Sequence, residues 1–396
     1  MPKNLWLIII GMVINVTGSS FLWPLNTIYL HNYLGKSLSV AGIVLMANAF
    51  ATVVGNLLGG VLFDKIGGFR SILVGAATTM LALVGITINH GWPMYVIWMI
   101  IIGFGSGLIF PSMYAMAGSV WKDGGRKAFN ALYVSQNVGV ALGSSLGGFI
   151  ASFSFDYIFV ANTVMYLIFF LLVVFTYRNL ESGSILQATA LPEQKPVRDK
   201  RKIYALMAVC AGYLLCWVGY VQWQSTISSY TQEIGISLTQ YSMLWTLNGA
   251  LIVLAQPFIN KAIQRFLTKV KMQMIVGMVI FIGSFIIAAF ATDFSGFITA
   301  MVILTIGEML VWPAVPTIAD ELAPKGKEGF YQGVVNSTAT AGRMVGPILG
   351  GFLVDVYGMQ VMFIVLMGLF VIAIGTTTLY DKILHAKKVE TYSPAK

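Results

Sequence analysis

Twelve runs of mainly apolar residues, each about 20 or more long, fill almost the whole chain. They lie at about 5–30, 40–63, 71–89, 92–118, 128–151, 157–177, 203–229, 237–260, 272–291, 295–319, 330–354 and 359–380. A backbone in hydrocarbon must satisfy its own hydrogen bonds, so runs of this length and composition form membrane-crossing helices. The balance of residues agrees: 57% are hydrophobic and only 10% charged, and the mean hydropathy is +0.81. Those figures exclude an ordinary soluble globular domain. The expected fold class is an all-α membrane protein with twelve transmembrane helices. The first run begins at Leu5 after a single lysine and is too long for a signal-peptide core, so a retained first helix is expected.

Lysine and arginine fix the orientation. All 24 except Lys36 and Arg343 fall at the N-terminus, in alternate connections, or in the tail. Basic residues stay in the cytoplasm during insertion, which implies two cytoplasmic ends and an even number of crossings. The net charge of +9 is thereby explained by topology and attraction to anionic lipid, and nucleic acid is not an expected partner. Cys210 and Cys216 sit in the seventh run and read as reduced packing residues, and neither a metal-ligand spacing nor a nucleophile triad is visible.

Residues 178–202 are rich in Lys, Glu, Gln, Pro and Ser and read as a cytoplasmic linker. They divide an N-terminal six-helix bundle, 1–177, from a C-terminal one, 203–380, which a cytoplasmic tail, 381–396, follows. The halves repeat one another. Gly105 and Pro111 in the fourth run recur as Gly307 and Pro313 in the tenth. Gly139, Gly143, Gly147 and Gly148 in the fifth recur as Gly342, Gly346, Gly350 and Gly351 in the eleventh. Parallel repeats of this kind place a substrate site between the halves near mid-bilayer.

Between the second and third runs stand Gly59, Gly60, Asp64, Lys65, Gly67, Gly68 and Arg70. The glycines permit a tight turn, and Asp64 is free to sit against a neighbouring helix N-terminus or a base. The pattern resembles the signature of the major facilitator superfamily at its usual place. That resemblance implies two rocking six-helix bundles, with Gly60, Asp64, Lys65, Gly67 and Arg70 as a conformational latch of the outward-facing state. Gly342, Gly346, Pro347, Gly350 and Gly351 are similar to the glycine–proline motif of the drug/proton antiporter branch; here they are expected to pack helices closely. One departure stands out. That branch usually carries an arginine early in the fourth helix, whereas the corresponding place, near Met99, has no base.

Two ionisable groups fall near the middle of a crossing, Glu308 in the tenth run and Arg343 in the eleventh. Each costs roughly 2.5–3.5 kcal/mol if left alone, and pairing lowers that cost. Glu308 is the candidate proton carrier and Arg343 the group that tunes it; a permanent structural pair, or contact with a charged substrate, are the alternatives. The coupling ion is then H+, with no cofactor and no metal.

The resemblance places helices 1, 4, 7 and 10 around a central cavity, with 2, 5, 8 and 11 at its sides. The candidates there are Asn15, Asn26, Tyr133, Gln136, Asn137, Trp217, Tyr220, Gln224, Trp245, Asn248, Trp312 and Asn336. An aromatic wall with few polar groups suits hydrophobic or cationic organic molecules. The functional expectation is a proton-coupled exporter of such compounds, a monomer in a bacterial cell membrane that moves a small-molecule substrate by alternating access. The rival is an exporter of a metabolite, sugar or amino acid, or a lipid flippase, in which Arg343 holds an anionic group. A membrane sensor or enzyme has less support, because the interior offers a single acid and no catalytic cluster.

Overall fold

The computed structural model describes residues 1–22, 25–26, 29–36, 38–151, 153–180 and 200–385. Most of the expected linker, 181–199, and the tail from 386 lie outside them. The first half holds α1 (Lys3–Leu22), α2 (Leu38–Ile66), α3 (Gly68–Ile88), α4 (Met94–Val120), α5 (Arg126–Ala151) and α6 (Phe155–Thr176). The second holds α7 (Arg201–Tyr220), α8 (Leu238–Phe266), α9 (Val270–Phe290), α10 (Phe294–Val311), α11 (Glu328–Tyr357) and α12 (Met359–His385). A 3₁₀ turn at Val221–Trp223 and a short helix at Thr226–Glu233 prolong α7. Pro313 interrupts the tenth crossing, which resumes as Ala314–Leu322. No strand occurs among the described residues.

Ten of the crossings are long and apolar enough to span a bilayer by composition alone; α5 and α11 are the two that fall short. The reason is their load of polar groups, including Asn130, Gln136 and Asn137 on α5 and Asn336 and Arg343 on α11. In a bundle, such helices are covered by neighbours or face an interior rather than lipid.

The halves are built alike. In the first, α1 packs on α5 and α6, α4 on α2 and α3, and α3 on α6. In the second, α7 packs on α11 and α12, α10 on α8 and α9, and α9 on α12, so each pair has its counterpart. Each half has its own apolar core, and among the described residues Tyr133 of α5 is the one buried side chain of the first half that belongs to the core of the second. The halves meet chiefly through α2 and α4 against α11, and to a smaller extent through α5 against α8.

The glycines of α5 and α11 make the close seams inside each half. A Cβ on Gly139 or Gly143 would strike α1 at Val16 or Thr17, and one on Gly342 or Gly346 would strike α7 at Trp217 or Val221. Gly351 departs from the expected packing role, because a Cβ there would meet open space. It lines instead an outer cleft of about 400 Å³ with Thr226, Tyr230, Glu233 and Asp355. A contrast follows. Gly346→Ala should destabilise the purified protein by about 1–3 kcal/mol through overpacking. Gly351→Ala should be neutral or stabilising by up to about 1 kcal/mol, from helix propensity. Thermal unfolding in one detergent compares the two, and equal losses would refute this account of the seam.

Candidate functional site

The site begins with a proline. An N–H at position 313 would bond the carbonyl of Met309, but proline has none, so that carbonyl is released where α10 breaks. Arg126, the first residue of α5 in the opposite half, fills the gap: its Nη2 donates to the Met309 carbonyl at 2.9 Å. One residue earlier, Glu308 projects into the bundle with 3% of its surface exposed. Tyr133 of α5 donates its hydroxyl to Oε1 at 2.8 Å, across the boundary between the halves. Asn248 of α8 donates to Oε2 at 2.8 Å and to Thr305 Oγ1 at 2.9 Å. Tyr220 and Trp312 also bond the carboxyl group. A buried carboxyl is tolerable when its oxygens are met in this way.

Arg343 stands apart. The ion pair that adjacency suggested is absent, since each charge has other partners. The guanidinium lies over the Trp217 ring, 4.9 Å from its centroid, and Nη2 donates to Thr340 Oγ1 at 3.4 Å. Trp217 stacks on Trp312 with centroids 4.6 Å apart and planes 3° from parallel. The stacked indoles thus stand between guanidinium and carboxylate. Tyr213 and Tyr220 set their rings edge-on to Trp312, at 5.5 and 5.4 Å.

The direction of Arg343 follows from helix periodicity. On α11, Gly342 and Gly346 face α7, while Ser337 and Thr340 face α2 of the other half. Val345, Ile348 and Phe352 form an exposed face on the opposite side. Arg343 falls between the α7 face and the α2 face, at half the length of the helix, and its side chain is exposed. It therefore looks into the space between the halves.

Towards the end of the bundle where α1 begins and α12 finishes, the halves are tied together. Asp64 of α2 accepts the backbone N–H groups of Gly329 at 2.7 Å and Phe330 at 2.9 Å. These belong to the first turn of α11, so the carboxylate caps that helix from the other half and meets the positive end of its dipole. The approach requires glycine: a Cβ on Gly60 would collide with the Gly329 carbonyl. Gly67, with φ 88°, supplies the turn into α3, while Lys65 and Arg70 are exposed. Further ties run from Ser337 Oγ to the Val53 carbonyl at 3.2 Å and from Gln256 Nε2 to Asn130 Oδ1 at 2.7 Å. Among the described residues, the hydrogen bonds between the halves run from the Glu308 level to this end.

Of the cavity candidates, Tyr133, Trp217, Tyr220, Trp245, Asn248 and Trp312 converge around Glu308 and the indole pair, Trp245 through its 6.2 Å ring contact with Tyr220. Gln136 is half-buried and accepts from Tyr114 at 3.0 Å; Asn137 and Asn336 are half-buried and bond carbonyls of their own helices. Three placements need correction. Asn15 shares its face with Gly11 and Gly18, which abut α6, so it is buried within the first half. Asn26 lies beyond the end of α1 and accepts at 2.6 Å from Tyr95, which is buried in the core of the first half. Gln224 lies past the end of α7 and is exposed near the outer cleft.

Sequence reasoning missed Arg126, Asn130, Gln256 and Asn56. A signal for the first two existed, because Arg126, Asn130, Tyr133 and Asn137 recur at four- and three-residue steps on one face of α5.

Comparison with known proteins places the chain. The profile of the Major Facilitator Superfamily matches residues 8–230 and 224–391. The MFS-type transporter YttB of Bacillus subtilis (strain 168) is 58% identical over 388 residues, 98% of each chain. The quinolone resistance protein NorA of Staphylococcus aureus (strain COL) is 22% identical over 363 residues, 90% of this chain and 91% of its own. Among solved structures, the human organic anion transporter MFSD10 superposes with TM-score 0.77 at 15% identity, covering 95% of this chain and all of that one. The POT family transporter PepTSo gives 0.72 at 17% identity, covering 97% and 98%. The chain belongs to the major facilitator superfamily, a multi-pass membrane transporter and not an enzyme.

The cap that Asp64 places on α11 generates a prediction. Asp64→Asn removes the charge and one acceptor from the α11 N-terminus, a loss of about 1 kcal/mol and so about fivefold in the balance of closed and open forms. Labelling of a cysteine at Ser337 by an impermeant maleimide, added from the linker side, should rise accordingly. Unchanged labelling would show that the cap does not hold the halves.

Proposed function

We propose that the protein is a proton-coupled secondary transporter of a bacterial cell membrane, with both ends in the cytoplasm, that exports amphipathic organic compounds as a drug/proton antiporter. It works as a monomer on a small-molecule substrate. The basic connections support a cytoplasmic position for the tied end of the bundle. The observation that carries the reading is the Glu308 carboxyl, an interior acid at mid-depth whose hydrogen bond from Tyr133 crosses the boundary between the halves.

A hydrogen bond to a carboxylate is about twice as strong as one between neutral groups. An ionised Glu308 therefore grips Tyr133 and favours the form closed towards the cytoplasm. A proton taken from outside weakens that grip, the halves rock, and the site opens inward, where the proton leaves and substrate enters. Loss of the proton restores the closed form and carries the substrate out. Energy stored in the proton gradient is thereby spent on the conformational cycle.

The name of the NorA relatives, quinolone resistance proteins, supports a drug-like cargo. The aromatic wall of Tyr213, Trp217, Tyr220 and Trp312 suits an apolar ring system. Lipophilic cations fit less well than the sequence suggested, because the carboxyl is enclosed behind the indoles while the guanidinium faces the space between the halves.

Proteoliposomes test the coupling with a panel of lipophilic cationic, neutral and anionic compounds. For whichever compound the wild type moves, Glu308→Gln should reduce flux driven by an imposed pH gradient to the level of empty vesicles. Binding of that compound to the variant should persist, which reports an intact fold. Undiminished gradient-driven flux in the variant would end the proposal.

A further inference from the structure

We infer that Arg343 and the stacked Trp217–Trp312 pair form a subsite for an aromatic organic anion, a flat ring bearing a carboxylate or sulfonate. The inference rests on the export reading above and names its cargo.

Three observations meet here. Arg343 sits halfway along α11, on the face between the α7 contact and the α2 contact, and is exposed there. A guanidinium has five N–H donors. The one side-chain bond it makes among the described residues uses a single donor, to a neutral hydroxyl at 3.4 Å. No carboxylate among the described residues pairs with it, and the acid at its depth is already bonded by Tyr133 and Asn248. A charge at this depth is costly, and an indole face recovers only part of the cost. The group that recovers the rest is a planar oxyanion, which matches the guanidinium fork through two parallel hydrogen bonds.

The third observation is the wall beside it. The guanidinium is 4.9 Å from the Trp217 centroid, and Trp217 lies flat on Trp312 with Tyr213 and Tyr220 edge-on around them. An anion on Arg343 is thus within a ring's width of an aromatic surface. A ligand that uses both carries its charge directly on, or one atom away from, a fused or single aromatic ring. The wall alone would accept neutral and cationic rings as well, so the guanidinium sets the preference. Selectivity against cations follows from like-charge repulsion at the same place.

Equilibrium binding to the full chain in lipid nanodiscs, by calorimetry, tests this without any proton gradient. The probes are 1-naphthoate, 1-naphthamide and 1-naphthylmethylammonium, which share a ring and differ in charge. The wild type should bind naphthoate about tenfold or more tightly than the other two. Arg343→Gln should bring naphthoate down to the level of naphthamide, while naphthamide binding stays within about twofold and so reports an intact fold. Arg343→Lys, which keeps the charge but not the fork, should restore part of the preference. The inference is overturned by any of four results: ammonium bound as tightly as naphthoate, naphthoate unaffected in Arg343→Gln, no binding of any probe to the wild type, or loss of all three probes together in the variant. The last would make Arg343 a prop for the indoles rather than a ligand group. Loss of proton-driven flux bears on Glu308 alone, so failure of the coupling and failure of this subsite are read separately.

Discussion

The hydrogen bond from Tyr133 to Glu308 is the contact on which the proposed mechanism turns. It is buried and joins a helix of one half to a helix of the other. Tyr133 is also the first-half side chain that enters the second half's buried core, so the hydroxyl is delivered to the carboxyl by packing as well as by charge. An interaction inside one bundle would leave rocking unaffected by protonation. In the proposed cycle, one that spans the boundary ties the two events together.

The ties nearer the linker end are a different kind of interaction and complement it. Asp64 and Arg126 each satisfy backbone groups that helix geometry leaves open, the N–H groups at the start of α11 and the carbonyl released by Pro313. Such groups keep their unmet capacity in whichever state lacks the partner, and there water supplies it. The closed form therefore gains modest, reversible contacts rather than a permanent weld. The α2–α11 seam can be this close because Gly60 meets Gly329 without side chains.

Much of this was legible in the sequence, for identifiable reasons. Hydrophobic run length gave the twelve crossings, and glycine and proline spacing gave the repeat that appears as matched helix pairs in the two halves. The Asp64 turn was readable because its glycines, acid and bases fall in the superfamily's signature pattern. Helical steps found the Tyr133, Trp217, Tyr220 and Asn248 faces. What failed is what a linear pattern cannot hold. Glu308 and Arg343 are neighbours by depth and helix order, yet the Trp217–Trp312 stack comes between them. Asn15 has the polarity of a cavity residue but shares its face with two glycines that hug α6. Arg126 looked like one more cytoplasmic base, because its partner is a main-chain carbonyl exposed by a proline almost two hundred positions away in the chain.

The central claim is that protonation of one carboxyl loosens the two halves. It is tested most directly by the distance across the linker end, measured by pulsed electron resonance between spin labels at the exposed Lys122 and Lys269, with Cys210 and Cys216 replaced by alanine. Acidification should lengthen that distance in the otherwise native chain, and Glu308→Gln should give the long distance at every pH. A distance that ignores pH, or one that still follows pH after Glu308→Gln, would contradict the account.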